Sequence, residues 1–314
     1  MRKNILRSFS ALLFIALFAQ CNEEQSATPP AASTKKKDTV AKKTAVAEAP
    51  KPFAITYHPL VMKDSGKVRL KNDFTPPMRS IIYALNRVDA GTARRIDTLI
   101  IPDTLVEDIM FYAPFPQELP LVKDVKKIVY FSYPIQAFAA YENGRLVRWG
   151  PTSMGKKATP TPTGLFFSNW KGLEVHSSVK EEWVLKWNFN ISNKGGVGWH
   201  LYAMPGYPAS HSCLRLLEAD ARYLYDWADQ WKLKNNALIA NGTPTIVYGE
   251  YPWGQQRPWK RLMQDPKANE TTAEMLQKET ESFLEKIMAE QQRRDTVVGS
   301  APVATVVTDS ATRP

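Results

Sequence analysis

Cysteine occurs twice in 314 residues, and Cys213 sits in the stretch SHSCLRL, residues 210–216, with His211 two positions before it and Arg215 two after. A thiol attacks only as its thiolate, so a pKa that starts near ~8.5 must be lowered, or a base must take the proton as attack occurs. Three devices are in reach. His200, in GVGWHLY, and His211 are candidate bases, and Arg215 is a fixed cation. An apolar stripe at Leu217, Ala221, Leu224 and Ala228 predicts a helix running from near Leu217 toward Trp231, whose positive end would point back at the thiol. Between His200 and Cys213, LYAMPGYPAS carries Pro205-Gly206 and Pro208, which predict a tight, stiff loop able to fold the two side chains against each other. By spacing alone, a catalytic pair and an ordinary pair of core neighbours both stay open.

The other histidines offer less. His176, in a polar stretch, and His58, near the N-terminal side, read as solvated side chains. Four scattered histidines and Cys213 give no ligand spacing beyond His211 with Cys213, so no metal site is expected. A formal charge of +10 favours anionic surroundings without choosing among them. No phosphate-binding glycine loop, zinc-finger spacing or RNA-binding signature is present, which leaves nucleic acid without support.

The elements around the candidate thiol divide the chain. Residues 1–21, MRKNILRSFSALLFIALFAQC, have a basic start and an apolar run too short to span a bilayer. They resemble a bacterial lipoprotein signal in which Cys21 is lipidated, although Gln20 replaces the small residue usual before that cysteine. Lipid on Cys21 implies a membrane-anchored, exported protein, periplasm-facing or at the outer surface, with Cys213 as its only thiol. Cleavage there would remove Arg2, Lys3 and Arg7 and no acid, leaving +7. Residues 22–52, rich in Pro, Thr and Lys, read as a disordered tether.

Residues 53–122 form a small α+β region in this reading, with Met78, Ile81, Ile82 and Leu85 at helical spacing and TLIIP as a buried strand. Its helix, LNRVD turn and strand faintly resemble the second half of a LysM wall-binding module. A plain packing subdomain is the preferred reading. From residue 123 to 250 the texture becomes β-like, and Asn143-Gly144 predicts a hairpin because a type I′ turn needs two residues that tolerate positive φ. All nine tryptophans fall between Trp149 and Trp259, which marks the large core or, alternatively, a sugar-stacking surface. Residues 251–314 hold an amphipathic helix, TAEMLQKETESFLEKIMAEQQRR, and a tail expected to be disordered from about Asp295.

Read as one stretch, WHLYAMPGYPASHSCLRLLEADARYLYDW resembles the active-site signature of the L,D-transpeptidase (YkuD-like) catalytic domain: histidine, loop, Ser-His-Gly-Cys, an aliphatic residue and arginine. Upstream, AAYENGRLVRWGPTSMGKKATPTPTGLFFS is similar to that family's hairpin, Ser-x-Gly and Thr-Pro-x-Gly run. The resemblance covers about residues 126–250. It implies a mostly β catalytic domain, a YkuD-like β-sandwich with a small helix. By the same resemblance Cys213 is the nucleophile, His200 the base, and the Leu201 carbonyl the group that orients the imidazole. His211 and Arg215 shape and charge the pocket, Ser210 braces the loop, and the N–H groups of Ser212 and Cys213 form the oxyanion hole. Ser212 stands where the family has glycine, so a scaffold that binds wall without turnover is one alternative.

The implied substrates are peptidoglycan stem peptides, joined 3→3 through a cysteine thioester with release of D-alanine. Transfer to water, giving a carboxypeptidase or endopeptidase, is the other alternative. Carbapenem-type inhibitors are implied as ligands of the same thiol.

Overall fold

The computed structural model describes residues 55–177 and 180–299; Cys21, the signal-like segment and the tether lie outside them. The chain opens with β1 (Tyr57–Val61), then α1 (Asp64–Asn72), α2 (Pro76–Asn86), α3 (Ala90–Ala93) and β2 (Thr98–Pro102), which returns antiparallel to β1. α2 starts where Thr75 Oγ1 accepts the Met78 N–H at 3.3 Å, with Pro76 in the first turn. It buries Ile81, Ile82 and Leu85 and stops at Arg87, which turns left-handed with φ 59°.

Next come β3 (Ile128–Ser132), β4 (Ala137–Glu142), β5 (Arg145–Ser153), β6 (Gly164–Phe167), β7 (Lys171–His176), β8 (Val184–Ser192), β9 (Val197–Leu201) and β10 (Leu214–Leu216). α4 (Glu218–Trp227), the short hairpin β11 (Lys232–Lys234) and β12 (Ala237–Ala240), β13 (Pro244–Tyr248) and α5 (Ala273–Gly299) complete the order. Nine strands join one sheet in the order β6-β13-β3-β4-β5-β10-β9-β8-β7.

The protein is mostly β, and its sheet is curled. β6 and β8 stand near opposite ends of the strand order, yet they touch. Phe131 on β3 stacks on Trp199 of β9 at 5.9 Å, and Phe189 of β8 meets the same indole at 5.1 Å. The two halves of the sheet therefore face each other across an aromatic core, as a sandwich does. β3 reads IVYFS with every residue buried, which suits a strand covered on both faces. At Asn143-Gly144 the φ values are 47° and 77°, so the β4–β5 turn takes the positive dihedrals its sequence predicts.

α5 covers the opposite face of the β3–β4 region. It buries Leu276 and Ile287, and Thr280 Oγ1 lies 2.8 Å from Tyr130 Oη. One buried cluster thus draws Ile81 and Leu85 from α2, Tyr130 and Trp149 from the sheet, and Leu276 and Ile287 from α5.

Two expectations are corrected. The tail is helical through Gly299 rather than loose from Asp295, because Asp295 pairs with Lys126 at 2.6 Å and Arg294 donates to the carbonyls of Gln230 and Asn241. The helix after Cys213 runs only from Glu218 to Trp227. Ala228 is already extended, and the Asp229 N–H is taken by Thr243 Oγ1 at 2.8 Å. Of the tryptophans, Trp149, Trp199 and Trp259 are fully buried, whereas Trp170 and Trp253 are exposed.

Candidate active site

β9 and β10 run side by side in parallel, with Leu214 opposite Trp199, Arg215 opposite His200 and Leu216 opposite Leu201. Side chains alternate faces along a strand. Trp199, Leu214 and Leu216 point into the aromatic core, so His200 and Arg215 share the other face, and Cys213, two residues before Arg215, joins them. The loop holding Pro205, Gly206 and Pro208 is the connection that permits this register. His200, Cys213, Arg215, His211 and Ser210 line one narrow cleft of about 30 Å3 with Trp183 and Tyr202.

His200 is 3% exposed, and its Nδ1 donates to the Leu201 carbonyl at 3.0 Å. That bond assigns the neutral tautomer and leaves Nε2 as an acceptor. Burial pushes the imidazole down to about 4, with nearby Arg215 pushing the same way. The Cys213 thiol is pushed up by burial, against opposing help from a Gly198 backbone hydrogen bond and Arg215. At neutral pH the resting pair is a thiol beside a neutral imidazole, not a thiolate beside an imidazolium.

The helix dipole assigned to this thiol is a correction. β10 intervenes, and α4 begins at Glu218 with two acidic residues, Glu218 and Asp220, in its own first turn. Dipole influence fades within a turn, so it does little for Cys213.

Arg215 is tied in place by the carbonyls of Ala203 and Ala209, at 3.3 and 3.2 Å, and lies 4.7 Å from the Tyr202 ring. Ser210 is 2% exposed, and its Oγ donates to the Cys213 carbonyl at 2.5 Å. His211 Nε2 faces Lys156 Nζ at 3.3 Å, and the ammonium can only donate. The proton of a neutral His211 then sits on Nδ1, which is buried without a partner. Ser212 has φ 78°, a region that costs a side chain roughly 1–2 kcal/mol.

The upstream block clamps this segment. Lys156 N–H and Thr159 Oγ1 donate to the Ser210 carbonyl at 3.0 and 3.1 Å, and Thr161 Oγ1 donates to that of Ser212 at 2.9 Å. Tyr133 Oη, in turn, donates to the Gly155 carbonyl. A Cβ on Gly155 would fall 2.3 Å from the Thr159 carbonyl oxygen and 2.4 Å from the Thr161 nitrogen, so only glycine fits.

Sequence reading passed over Asp89. Its side chain caps α3 at the Thr92 N–H, 2.7 Å, and also accepts the Met204 N–H at 2.7 Å, while its own N–H donates to the Met204 carbonyl at 3.1 Å. The only signal was the Asp-x-x-Thr capping pattern, which is local and gives no hint of a partner 115 residues away. Trp183 and Tyr202 were also passed over, because an aromatic residue's place on a cleft has no spacing signature. His176 is exposed on β7, its Nδ1 near the Glu181 carbonyl, and it does not line the cleft; His58 meets Asp103 at 2.5 Å. Among the described residues there is no group of three metal-binding side chains, and no helix is long and apolar enough to cross a membrane.

Residues 126–247 match the family model described as YkuD, the L,D-transpeptidase catalytic domain. L,D-transpeptidase 2 of Mycobacterium tuberculosis (strain CDC 1551 / Oshkosh) is 28% identical over 134 residues, which are 37% of this chain and 33% of that protein. The chain therefore aligns with about a third of its curated relative. Among solved structures, an L,D-transpeptidase from Mycobacterium smegmatis is 22% identical, covering 40% of this chain and 59% of the other with a TM-score of 0.32. An L,D-transpeptidase in complex with imipenem is also 22% identical, covering 39% and 59% with a TM-score of 0.33.

Proposed function

We propose, from the premise that residues 126–247 are an L,D-transpeptidase catalytic domain, that the protein forms 3→3 cross-links between peptidoglycan stems. The reading rests on one observation: Cys213, Arg215 and His200 share one face of the β9–β10 pair, with His200 held in the tautomer that leaves Nε2 free to accept.

In the first half-reaction Cys213 Sγ attacks the carbonyl of the third stem residue while His200 Nε2 takes the thiol proton. A C–S bond forms, the N–H groups of Ser212 and Cys213 face the developing oxyanion, and the peptide C–N bond then breaks. The imidazolium returns its proton to the departing D-alanine amine. In the second half an amine of a neighbouring stem attacks the thioester, the C–S bond breaks and the thiol is regenerated. No cofactor is needed for this route. The stem lies along the rim of this narrow cleft, which Trp183, Tyr202 and Arg215 line. Lipid on Cys21 would hold this body at a membrane of the cell envelope.

Intact mass spectrometry with a disaccharide-tetrapeptide tests the reading. The expected result is D-alanine release with a Cys213 thioester, and a cross-linked dimer once a second stem is added. Release without any dimer would make water the acceptor and the protein a carboxypeptidase. No release from folded protein would leave a wall-binding scaffold.

A further inference from the structure

Thr161 is 2% exposed, and its hydroxyl is used twice. Oγ1 accepts the Gly155 N–H at 2.9 Å and meets the Ser212 carbonyl at 2.9 Å. An N–H can only donate and a carbonyl can only accept, so the single hydroxyl proton points at Ser212. Thr161 is itself held in place. Its N–H donates to Tyr133 Oη at 3.3 Å, and Tyr133, 4% exposed, spends its own proton on the Gly155 carbonyl. One buried phenol therefore ties together both ends of the turn from Gly155 to Thr161.

The Ser212 carbonyl and the Cys213 N–H belong to one peptide unit. Such a unit is planar and trans, with its C=O and N–H on opposite sides. Turning the carbonyl toward Thr161 turns the Cys213 N–H the other way, and no protein acceptor takes that N–H among the described residues. It sits on the residue that carries the thiol, within reach of any carbonyl the sulfur attacks. The unit is pinned on both sides. Lys156 N–H and Thr159 Oγ1 hold the Ser210 carbonyl, and Ser210 Oγ holds that of Cys213. Ser212 at φ 78° is in a conformation that a serine keeps only where its surroundings impose it. A hydrogen bond on the carbonyl also polarises its peptide, which strengthens the N–H as a donor.

We propose that Thr161 is a positioning residue for acyl transfer: by holding the Ser212 carbonyl it aims the Cys213 N–H at the developing oxyanion, with Tyr133 locking Thr161 behind it. This deepens the reaction proposed above and rests on it. When Cys213 Sγ adds to a carbonyl, a C–S bond forms and the π pair moves to oxygen, where an aimed donor counts most. Thr161 touches neither the sulfur nor the base.

Alkylation by iodoacetamide separates this role from a general one. There Sγ forms a C–S bond at a saturated carbon, iodide leaves with the bonding pair, and no oxyanion arises. In Thr161→Val, acylation of Cys213 by imipenem and by a disaccharide-tetrapeptide should fall about tenfold to a hundredfold, while alkylation stays within about twofold of wild type. Thr161→Ser should recover most of the acylation rate. Tyr133→Phe, which leaves Thr161 in place, should slow acylation severalfold and alkylation not at all. Acylation unchanged in Thr161→Val and in Tyr133→Phe would overturn the proposal. So would acylation and alkylation falling together, since the loss would then lie in the thiol or the fold. Wild-type protein that takes imipenem but releases no D-alanine would sink the stem-peptide reading alone, because the imipenem rates still decide the role of Thr161.

Discussion

Cys213 and His200 are both shifted toward their neutral forms, the thiol upward and the imidazole down to about 4. The His200 imidazole therefore stays unprotonated well below the ordinary histidine value of 6.5. The rate of Cys213 acylation should keep its plateau through pH 6 and bend only as pH nears 4; a half-loss near 6.5, measured by stopped-flow, would mean that His200 is solvated. The same shift affects folding. Between 4 and 6.5 the unfolded chain takes up the proton first, so stability held above 6.5 should be lost as pH falls toward 4.

Imipenem should add its whole mass to the protein, as Cys213 Sγ opens the lactam C–N bond. Cys213→Ala should gain nothing while melting as wild type does; an adduct on that variant would remove Cys213 from the mechanism. Ser212→Gly relieves a left-handed serine, and we expect about 1 kcal/mol more stability by chemical denaturation with acylation kept or raised. A large loss of acylation would instead show that the hydroxyl has a task there.

At the scale of elements, the β9–β10 pair brings His200, Cys213 and Arg215 together and two other segments hold them still. One is the block from Ser153 to Gly164, whose threonines bond the carbonyls of Ser210 and Ser212. The other is α3, which through Asp89 grips Met204 in the loop between His200 and Cys213. Asp89→Ala should cost about 1 kcal/mol as a lost cap. It should also slow acylation by about tenfold, because small displacements of a reacting group carry large rate penalties. Asp89→Asn, which still accepts, should recover most of the rate. Wild-type acylation in Asp89→Ala would show that the loop holds its shape unaided.

Over the whole molecule, α5 and α2 share one buried cluster with the outer face of the sheet. The segments before and after residues 126–247 are thus part of what keeps the strands in place. Ile287→Ala, at 1% exposure on α5, should cost about 2–5 kcal/mol and lower the melting temperature of the whole described body in one transition. A separate early transition would mean that α5 unfolds independently of the sheet.

Much of this was readable in one dimension, for physical reasons. The Asn143-Gly144 turn, α2 and the amphipathic C-terminal helix are local, set by dihedral preference and by periodicity that neighbours only reinforce. His200, Cys213 and Arg215 could be singled out because reactive side chains are few and their spacing is unusual. The sequence could not show that a strand, not a helix, follows the thiol, since LRL is too short for either period to declare itself. Nor could it show that residues 295–299 stay helical, because their partners Lys126, Gln230 and Asn241 lie far away in the chain. Asp89 on Met204, the burial of Arg87 between two indoles and the neutral state of the thiol–imidazole pair depend on burial and on long-range contacts. Those quantities exist only once the sheet has curled and the flanking helices have closed over it.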